Sequence, residues 1–318
     1  KMQEMGQITV KQVLFAGGSI RAAARASEYL AAAAAWKREA TLDEIEFEVK
    51  QSFYNCLLAK ALVEVARDSV GVFERHLADA QHMLDVGVIS EFPVLRAKTE
   101  LGARQSDVES AQTAARIAVL NLCRIIGEDQ GDAMGLSGKL EWREAGQEVD
   151  AEIAEAERTR PELVALDKAI EGAEAGVAAK RGQYLPKVAA SVGYQKTEGM
   201  GEMSPNGVTA TLGAEWELYV GGRRKNEIVE AQAKLDSLKF QRVDVARLVE
   251  MDVRQAHIRV LDAIAQIRKE KGNVELGREG LRLAELRFQE GVGTQAETLD
   301  ADLALRQART GLAKALHE

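Results

Sequence analysis

Apolar positions fall into two rhythms along this chain, and the two rhythms divide it into elements. Over 223–289 they form a spaced seam. It runs from Ala231 through Leu235, Leu238, Val245 and Val249, then from Val253 through Ala256, Val260, Ala263, Ile267, Val274, Leu281 and Ala284 to Phe288. The steps alternate three and four, with one additional four between Val249 and Val253, and Arg242, Glu270 and Gly277 fill the remaining seam positions. That pattern predicts a coiled-coil helix with a stutter. At 1.5 Å per residue it would be on the order of 100 Å long. A second helical stretch of similar length is predicted over roughly 19–86. The other rhythm has period two. Val188, Ala190, Val192 and Tyr194 alternate with Ala189, Ser191, Gly193 and Gln195. After a Gly/Ser/Asn-rich loop at 199–207, Val208, Ala210, Leu212, Ala214, Trp216 and Leu218 alternate with polar or small residues. Strands are predicted at 8–15, 187–196 and 207–219. One apolar and one polar face over about ten residues is the pattern of a barrel strand with lipid outside and water inside.

The four prolines punctuate these elements. Pro93 and Pro161 each fall where the first turn of a helix should lie, a position that needs no N–H. Thr159 and Glu162 flank Pro161 with capping-box spacing. Pro186 follows a helical run over 163–183, and Pro205 lies in the 199–207 loop.

Sliding the chain by 204 residues against itself exposes a tandem duplication. Gly17-Gly18 falls on Gly221-Gly222, Leu14 on Leu218, Glu46 on Glu250, Leu77 on Leu281, and Gly87-Val88 on Gly291-Val292. Leu95, Ala97 and Leu101 fall on Leu299, Ala301 and Leu305, all without a gap. Each copy reads strand, Gly-Gly, long helix, glycine-centred turn, returning helix. The implied divisions are a first repeat at 1–128, a charged connecting segment at 129–160, and a second repeat at 161–318. The second copy's lead-in begins at Arg160, so equivalent sequence of at least about 44 residues is expected ahead of Lys1.

Composition narrows the class. With 46% hydrophobic and 29% charged residues, and no apolar run near the ~18 a spanning helix needs, the chain is not a helical membrane protein. A net charge of −8 with no basic stripe argues against nucleic acid. There is no phosphate loop, no nucleophile elbow, no GxGxxG opening a helix and no His/Cys metal spacing. The sequence therefore calls for no enzyme activity, no cofactor and no metal. His76, His82, His257 and His317 read as surface or seam residues, and charge runs such as 222–227 and 268–271 as solvated helix faces.

Three segments at these spacings resemble one family. RPELVALDKAIEGAEAGVAAKRGQYLPKVAASVGY (160–194), WELYVGGRRKNEIVEAQAKL (216–235) and LRLAELRFQEGVGTQAETLDADLALRQAR (281–309) are similar to the TolC or outer membrane efflux protein family. The resemblance implies a mainly α fold of long antiparallel coiled-coil hairpins forming a periplasmic α-barrel. A small β-hairpin portion would contribute to a trimeric outer membrane β-barrel. It further implies a homotrimer in the cell outer membrane that extends into the periplasm. Such a channel exports small molecules or proteins with a periplasmic adaptor and an inner-membrane pump. The family's C-terminal helix usually continues beyond the point reached here. A soluble periplasmic coiled-coil scaffold is the alternative, although a scaffold has no need of an apolar-faced hairpin followed by Gly-Gly.

The same resemblance assigns roles. Glu297 and Asp300, six and nine residues past Gly291 and three apart, match the carboxylates that line the family's periplasmic aperture. Thr294 and Glu297 also have capping-box spacing, so Glu297 has a purely structural alternative. Phe288 and Gly293 stand where the family's prototype has a Tyr and an Arg that brace the closed aperture. Gly87, Val88 and Ser90, with Gly291, Val292, Gly293 and Thr294, would form adaptor-contact tips, the glycines being helix C-terminal residues in any case. Gly17, Gly18, Gly221, Gly222 and Pro186 mark the strand-to-helix transitions. The Ala-dense stretch after the first Gly-Gly (Ala22–Ala24, Ala31–Ala35) would let backbones pack closely beneath that turn. Cys56 and Cys123 each lie about 33 residues from the first tip and are expected at similar height, with two buried free thiols favoured over a disulfide.

Overall fold

The computed structural model describes residues 4–128, 136–142, 148–198 and 207–318. Pro205 and much of the 129–160 segment lie outside the described residues. The element order is β1 (Glu4–Phe15), α1 (Ser19–Asp85), α2 (Glu91–Ile126), α3 (Val149–Thr159), α4 (Pro161–Gly182), β2 (Lys187–Glu198), β3 (Gly207–Glu215), α5 (Arg223–Gln289) and α6 (Gln295–His317). Both α1 and α5 have 67 residues. Adding the 204-residue offset to α1's limits, 19 and 85, gives α5's limits, 223 and 289. The same offset takes the start of α2, Glu91, to the start of α6, Gln295. The offset thus holds for the two long helices and for the starts of the helices that follow them.

The chain folds as two units, Lys1–Thr41 with Glu152–Met251, and Leu42–Ala151 with Asp252–Glu318. The first holds an antiparallel three-stranded sheet in the order β1-β2-β3. Its register puts Ile8, Tyr194 and Val208 in one row across the three strands, and Val10, Val192 and Ala210 in the next. Because side chains alternate, these rows build one apolar face. Thr9, Gly193 and Thr209, with Lys11, Ser191 and Thr211, build the polar one. The β1–β2 register shifts between Val13 and Phe15. Strand β3 stops at Glu215, four residues short of the alternation that predicted 207–219. Its last partner is Lys187, immediately after Pro186, so residues 216–219 have no strand beside them. The Trp216 indole donates instead to the Tyr184 carbonyl at 3.0 Å.

In the same unit α4 packs beside the first turns of α1 and α5. Leu163, Ala165 and Val177 of α4 are buried with Ala33, Leu235 and Val249. Polar ties add to this packing. Arg242 Nε donates to Asp167 at 3.0 Å, Lys239 lies 3.2 Å from Glu174, and Lys168 sits over the Tyr29 ring. Arg242, a charged intruder in the seam, is therefore neutralised across the helix pair. The capping box at Thr159 does not form. Thr159 ends α3 and donates its hydroxyl to the Glu155 carbonyl, while Arg160 is the N-cap of α4 with Pro161 at N1. A preceding helix claims the threonine before it can cap the next. Of the Ala-dense stretch, Ala33 alone is buried within the chain; its neighbours are exposed or half-buried.

The second unit has a core where four helices meet: Val72 and Phe73 of α1, Leu281 of α5 and Leu305 of α6, flanked by Leu101 of α2. Segment 136–142 lies against α1, with the Leu136 carbonyl accepting from Lys60. Along α5 the buried positions are Leu235, Val249, Ala263, Ile267, Leu281, Ala284 and Phe288, every one a seam residue. Ala256 and Val260 belong to the seam by spacing yet are exposed. They follow the stutter, where the extra four-residue step changes the phase of the stripe. No helix among the described residues is long and apolar enough to cross a membrane.

Candidate functional site

The sequence-predicted residues gather at the strand-to-helix turns and at the hairpin tips. At the strand-to-helix turns Gly17 and Gly18 have φ of 60° and 78°, and Gly221 and Gly222 have 60° and 81°. Both glycines of the pair thus repeat, in the second copy, left-handed values that side chains disfavour. Gly17 meets the end of α4: a Cβ there would stand 2.2 Å from the Gly182 oxygen and 2.7 Å from Leu185 Cβ. At Gly221 the same Cβ would meet nothing within 4 Å. Pro186 separates this packed α4 terminus from β2. The charge run 222–227 is not simply a solvated face. Arg224 donates to the Glu217 carbonyl at 2.7 Å and to its carboxylate at 2.9 Å, and its guanidinium lies over the Tyr184 ring. It braces the turn from below. Its position just after the glycines was the available signal.

The two hairpin tips share one backbone design. Gly87 and Gly291 have φ of 77° and 71°. Val88 N–H donates to Met83 O at 2.9 Å, and Val292 N–H to Arg287 O at 3.0 Å, which are equivalent bonds under the 204 offset. The next donors differ. Gly293 N–H reaches Arg287 O at 2.8 Å, whereas Ile89 N–H stands 3.4 Å from Met83 O. A Cβ on Gly293 would lie 2.8 Å from Arg287 Cβ, so a side chain at this position holds the turn further open. Ser90 is the N-cap of α2 without a side-chain cap bond, while Thr294 caps α6 by accepting from Glu297 N–H at 3.3 Å. The Glu297 carboxylate does not complete the box; it lies 3.4 Å from Arg287 Nε. Glu297 and Asp300 are both exposed on the first turns of α6. Around the first tip Val86, Val88, Phe92 and Leu95 are exposed.

Behind the second tip lies an acid that pattern reading passed over. Asp302 is 4% exposed and accepts from Ser69 Oγ at 2.9 Å. Burial pushes its carboxyl above the ordinary range, against the Ser69 hydrogen bond and the charges of Arg306, Arg104 and Arg309. Those arginines are themselves engaged: Arg104 and Arg306 with Asp107 at 2.8 and 3.1 Å, and Arg309 with Asp68. A cleft of about 410 Å³ is bounded by Asp68, Ser69, Leu281, Asp302, Arg306 and Arg309. The buried face of α6 runs Thr298, Asp302, Leu305, Ala308, and that spacing was the signal. Cys56 and Cys123 are buried and unbridged. Burial raises the Cys56 thiol, and nearby Cys123 raises it further.

The outer membrane efflux protein family matches residues 2–128 and 153–318. Protein CyaE of Bordetella pertussis is 25% identical over 319 residues, which is 95% of this chain and 65% of that protein. Outer membrane efflux protein BepC of Brucella suis is 24% identical over 328 residues, covering 98% of this chain and 68% of BepC. The chain thus spans about two-thirds of the length of these relatives. Among solved structures, the outer-membrane channel OprN superposes with a TM-score of 0.80 at 18% identity, over 99% of this chain and 78% of that one. The shared fold and the two-part family match agree with the motif resemblance: this chain belongs to the outer membrane efflux protein family.

Proposed function

We propose that the full-length protein is an outer membrane exit duct, a homotrimer that works with a periplasmic adaptor and an inner-membrane pump and performs no covalent chemistry. The observation that carries this reading is the sheet's apolar face. Ile8 and Val10 on β1 and Val208 and Leu212 on β3 are 68–72% exposed, left uncovered by the described residues. A face of this kind in water is an aggregation hazard, whereas in a closed barrel it is the lipid belt. Trp216 and Tyr219 stand exposed beyond the sheet's end, where an aromatic girdle would meet the membrane interface. Three strands and long helical hairpins are the parts from which such a duct would be built. Similarity to an outer membrane efflux protein and to an outer-membrane channel supports the location and the transport role.

Within that duct the exposed Glu297 and Asp300 would form two stacked rings of three carboxylates at the periplasmic aperture, and the Gly87 and Gly291 turns would meet the adaptor. Carboxylate rings attract cations and repel anions. In planar bilayers the full-length protein should conduct with cation preference, and the Glu297→Ala/Asp300→Ala double variant should conduct more and discriminate less. Unchanged selectivity in the double variant would remove the aperture assignment. The soluble-scaffold reading would return if the full-length protein were monodisperse without detergent and gave no conductance.

A further inference from the structure

His76 is a buried titratable group on the first long helix that the duct does not require. His76 of α1 is 5% exposed, and its ring packs on Phe288 of α5 with centroids 4.6 Å apart and planes at 51°. Its Nε2 is buried without a hydrogen-bond partner. Beside it lies a cavity of about 170 Å³, bounded by Arg75, Asp79, Glu285, Phe288 and Gln289. The repeat offset places Gly280 opposite His76, so the second copy has no such group. Phe288 is also part of the second tip, because its carbonyl accepts from Gly291 N–H at 3.0 Å.

We propose that His76 is an acid-sensitive latch between α1 and the end of α5, whose protonation loosens the turn at Gly291. A neutral imidazole tolerates this pocket because only one ring nitrogen carries a proton. The imidazolium has two N–H donors and a charge, and the buried Nε2 then needs an acceptor. The acidic groups bounding the cavity are Asp79 of α1 and Glu285 of α5, and both are already used. Gln289 donates to Asp79 at 3.1 Å, and Arg75 lies 3.5 Å from Glu285. Those two contacts are themselves α1–α5 ties. A charged His76 either stays unsatisfied or takes an acceptor from one of them, and both outcomes weaken the helix pair beside the tip.

The electrostatics agree in sign. Burial lowers the tendency of His76 to protonate more than the Asp79 charge raises it. A histidine whose native pKa is depressed favours the folded packing fully only above its ordinary value of about 6.5, and that contribution declines as the pH drops below it. Asp302 of α6, whose partner Ser69 lies on α1 seven residues before His76, is shifted the other way, so its titration stabilises the packing in acid. The two groups therefore leave opposite signatures.

Hydrogen exchange of the full-length protein in detergent tests the latch without reference to conduction. Between pH 7.5 and 5.5, after correction for intrinsic rates, amides in 73–85 and 281–293 should open more often, by up to about tenfold. That ceiling follows from the ordinary histidine pKa if the closed state binds no proton. His76→Phe should show no acid acceleration, and His76→Gln, which keeps a polar side chain of similar size, should behave alike and covers the case in which the phenylalanine packs badly. Equal acid acceleration in both variants and the parent would overturn the proposal. So would an imidazole titration by NMR that puts His76 at or above its ordinary value. The consequence for a pore rests on the duct reading. Loss of conduction with the exchange pattern intact would overturn that reading and leave the latch standing.

Discussion

Changing Gly17 to alanine separates two costs that the Gly-Gly pairs normally combine. At φ of 60° any L side chain costs about 1–2 kcal/mol relative to glycine, because Cβ crowds the following carbonyl. Gly221 shares that φ and has no neighbour within 4 Å of its missing Cβ, so Gly221→Ala should cost this amount alone. At Gly17 the new methyl would also overlap the Gly182 oxygen at 2.2 Å and crowd Leu185 Cβ at 2.7 Å. A backbone carbonyl at the end of a helix cannot rotate aside as a side-chain tip can. The closeness is mutual, since a Cβ on Gly182 would stand 2.6 Å from the Gly17 oxygen. Overpacking of this kind adds roughly 1–3 kcal/mol, giving about 2–5 kcal/mol in total for Gly17→Ala. The assay is thermal unfolding of the full-length protein in detergent, followed by far-ultraviolet circular dichroism at one scan rate. Gly17→Ala should melt well below Gly221→Ala, which should lie slightly below the parent. Equal losses at the two sites would refute the idea that α4 packs onto the first turn.

Further outcomes follow from single sites. Leu212→Arg places a charge on the sheet's apolar face and should cost about 2–4 kcal/mol if that position lies near the bilayer midplane, seen as a reduced yield of folded trimer in outer membrane extracts. Asp302→Asn mimics the protonated acid that burial favours; a native carboxyl held above its unfolded value loses stability as pH rises through its own pKa. The variant should therefore melt no lower than the parent at pH 7 and lose the parent's rise in stability on moving from neutral toward acid pH. Cys56 and Cys123 should appear as two free thiols in non-reducing mass spectrometry. In the native protein both should alkylate slowly, since burial raises the Cys56 thiol and hides both. A recovered disulfide would sink that expectation.

Long-range order was legible where a period repeats over many turns. Helix limits of 19–86 and 223–289 were read from spacing and glycines, against Ser19–Asp85 and Arg223–Gln289 in the structure. What escaped were features set by a neighbour distant in sequence. Alternation over 207–219 could not reveal that Pro186 leaves residues after Glu215 without a partner strand. Thr159 has the spacing of a cap, but nothing local shows that the preceding helix α3 would run through it and use its hydroxyl. Arg224 falls in a charge run that reads as a solvated face, and Asp302 carries no motif that singles it out. Their burial depends on Ser69 and Tyr184, which lie 233 and 40 residues away in the chain.

The retained repeat also shows where the copies were free to diverge. The lengths of α1 and α5 and the angles of the matched glycines agree between copies, because a change in either would shift every residue beyond it. Side chains facing between the hairpins show no such constraint. Phe73 fills the core where its counterpart Gly277 lets Leu305 approach, with a Cβ there only 3.0 Å from Leu305 Cα. One copy supplies bulk and the other supplies space. Ser69 and Asp302 form a buried pair, whereas their counterparts are Asn273 and Lys98, and Lys98 stays exposed, where its ammonium needs no buried counter-charge. His76 against Gly280 follows the same logic, since a second buried imidazole would need a second pocket. Strict internal symmetry would have required each contact to be self-complementary. Divergence at matched positions lets a duplicated scaffold keep its geometry and still give its two tips different chemistry: Phe92 is matched by Ala296, and Glu297 and Asp300 are matched by Pro93 and Arg96.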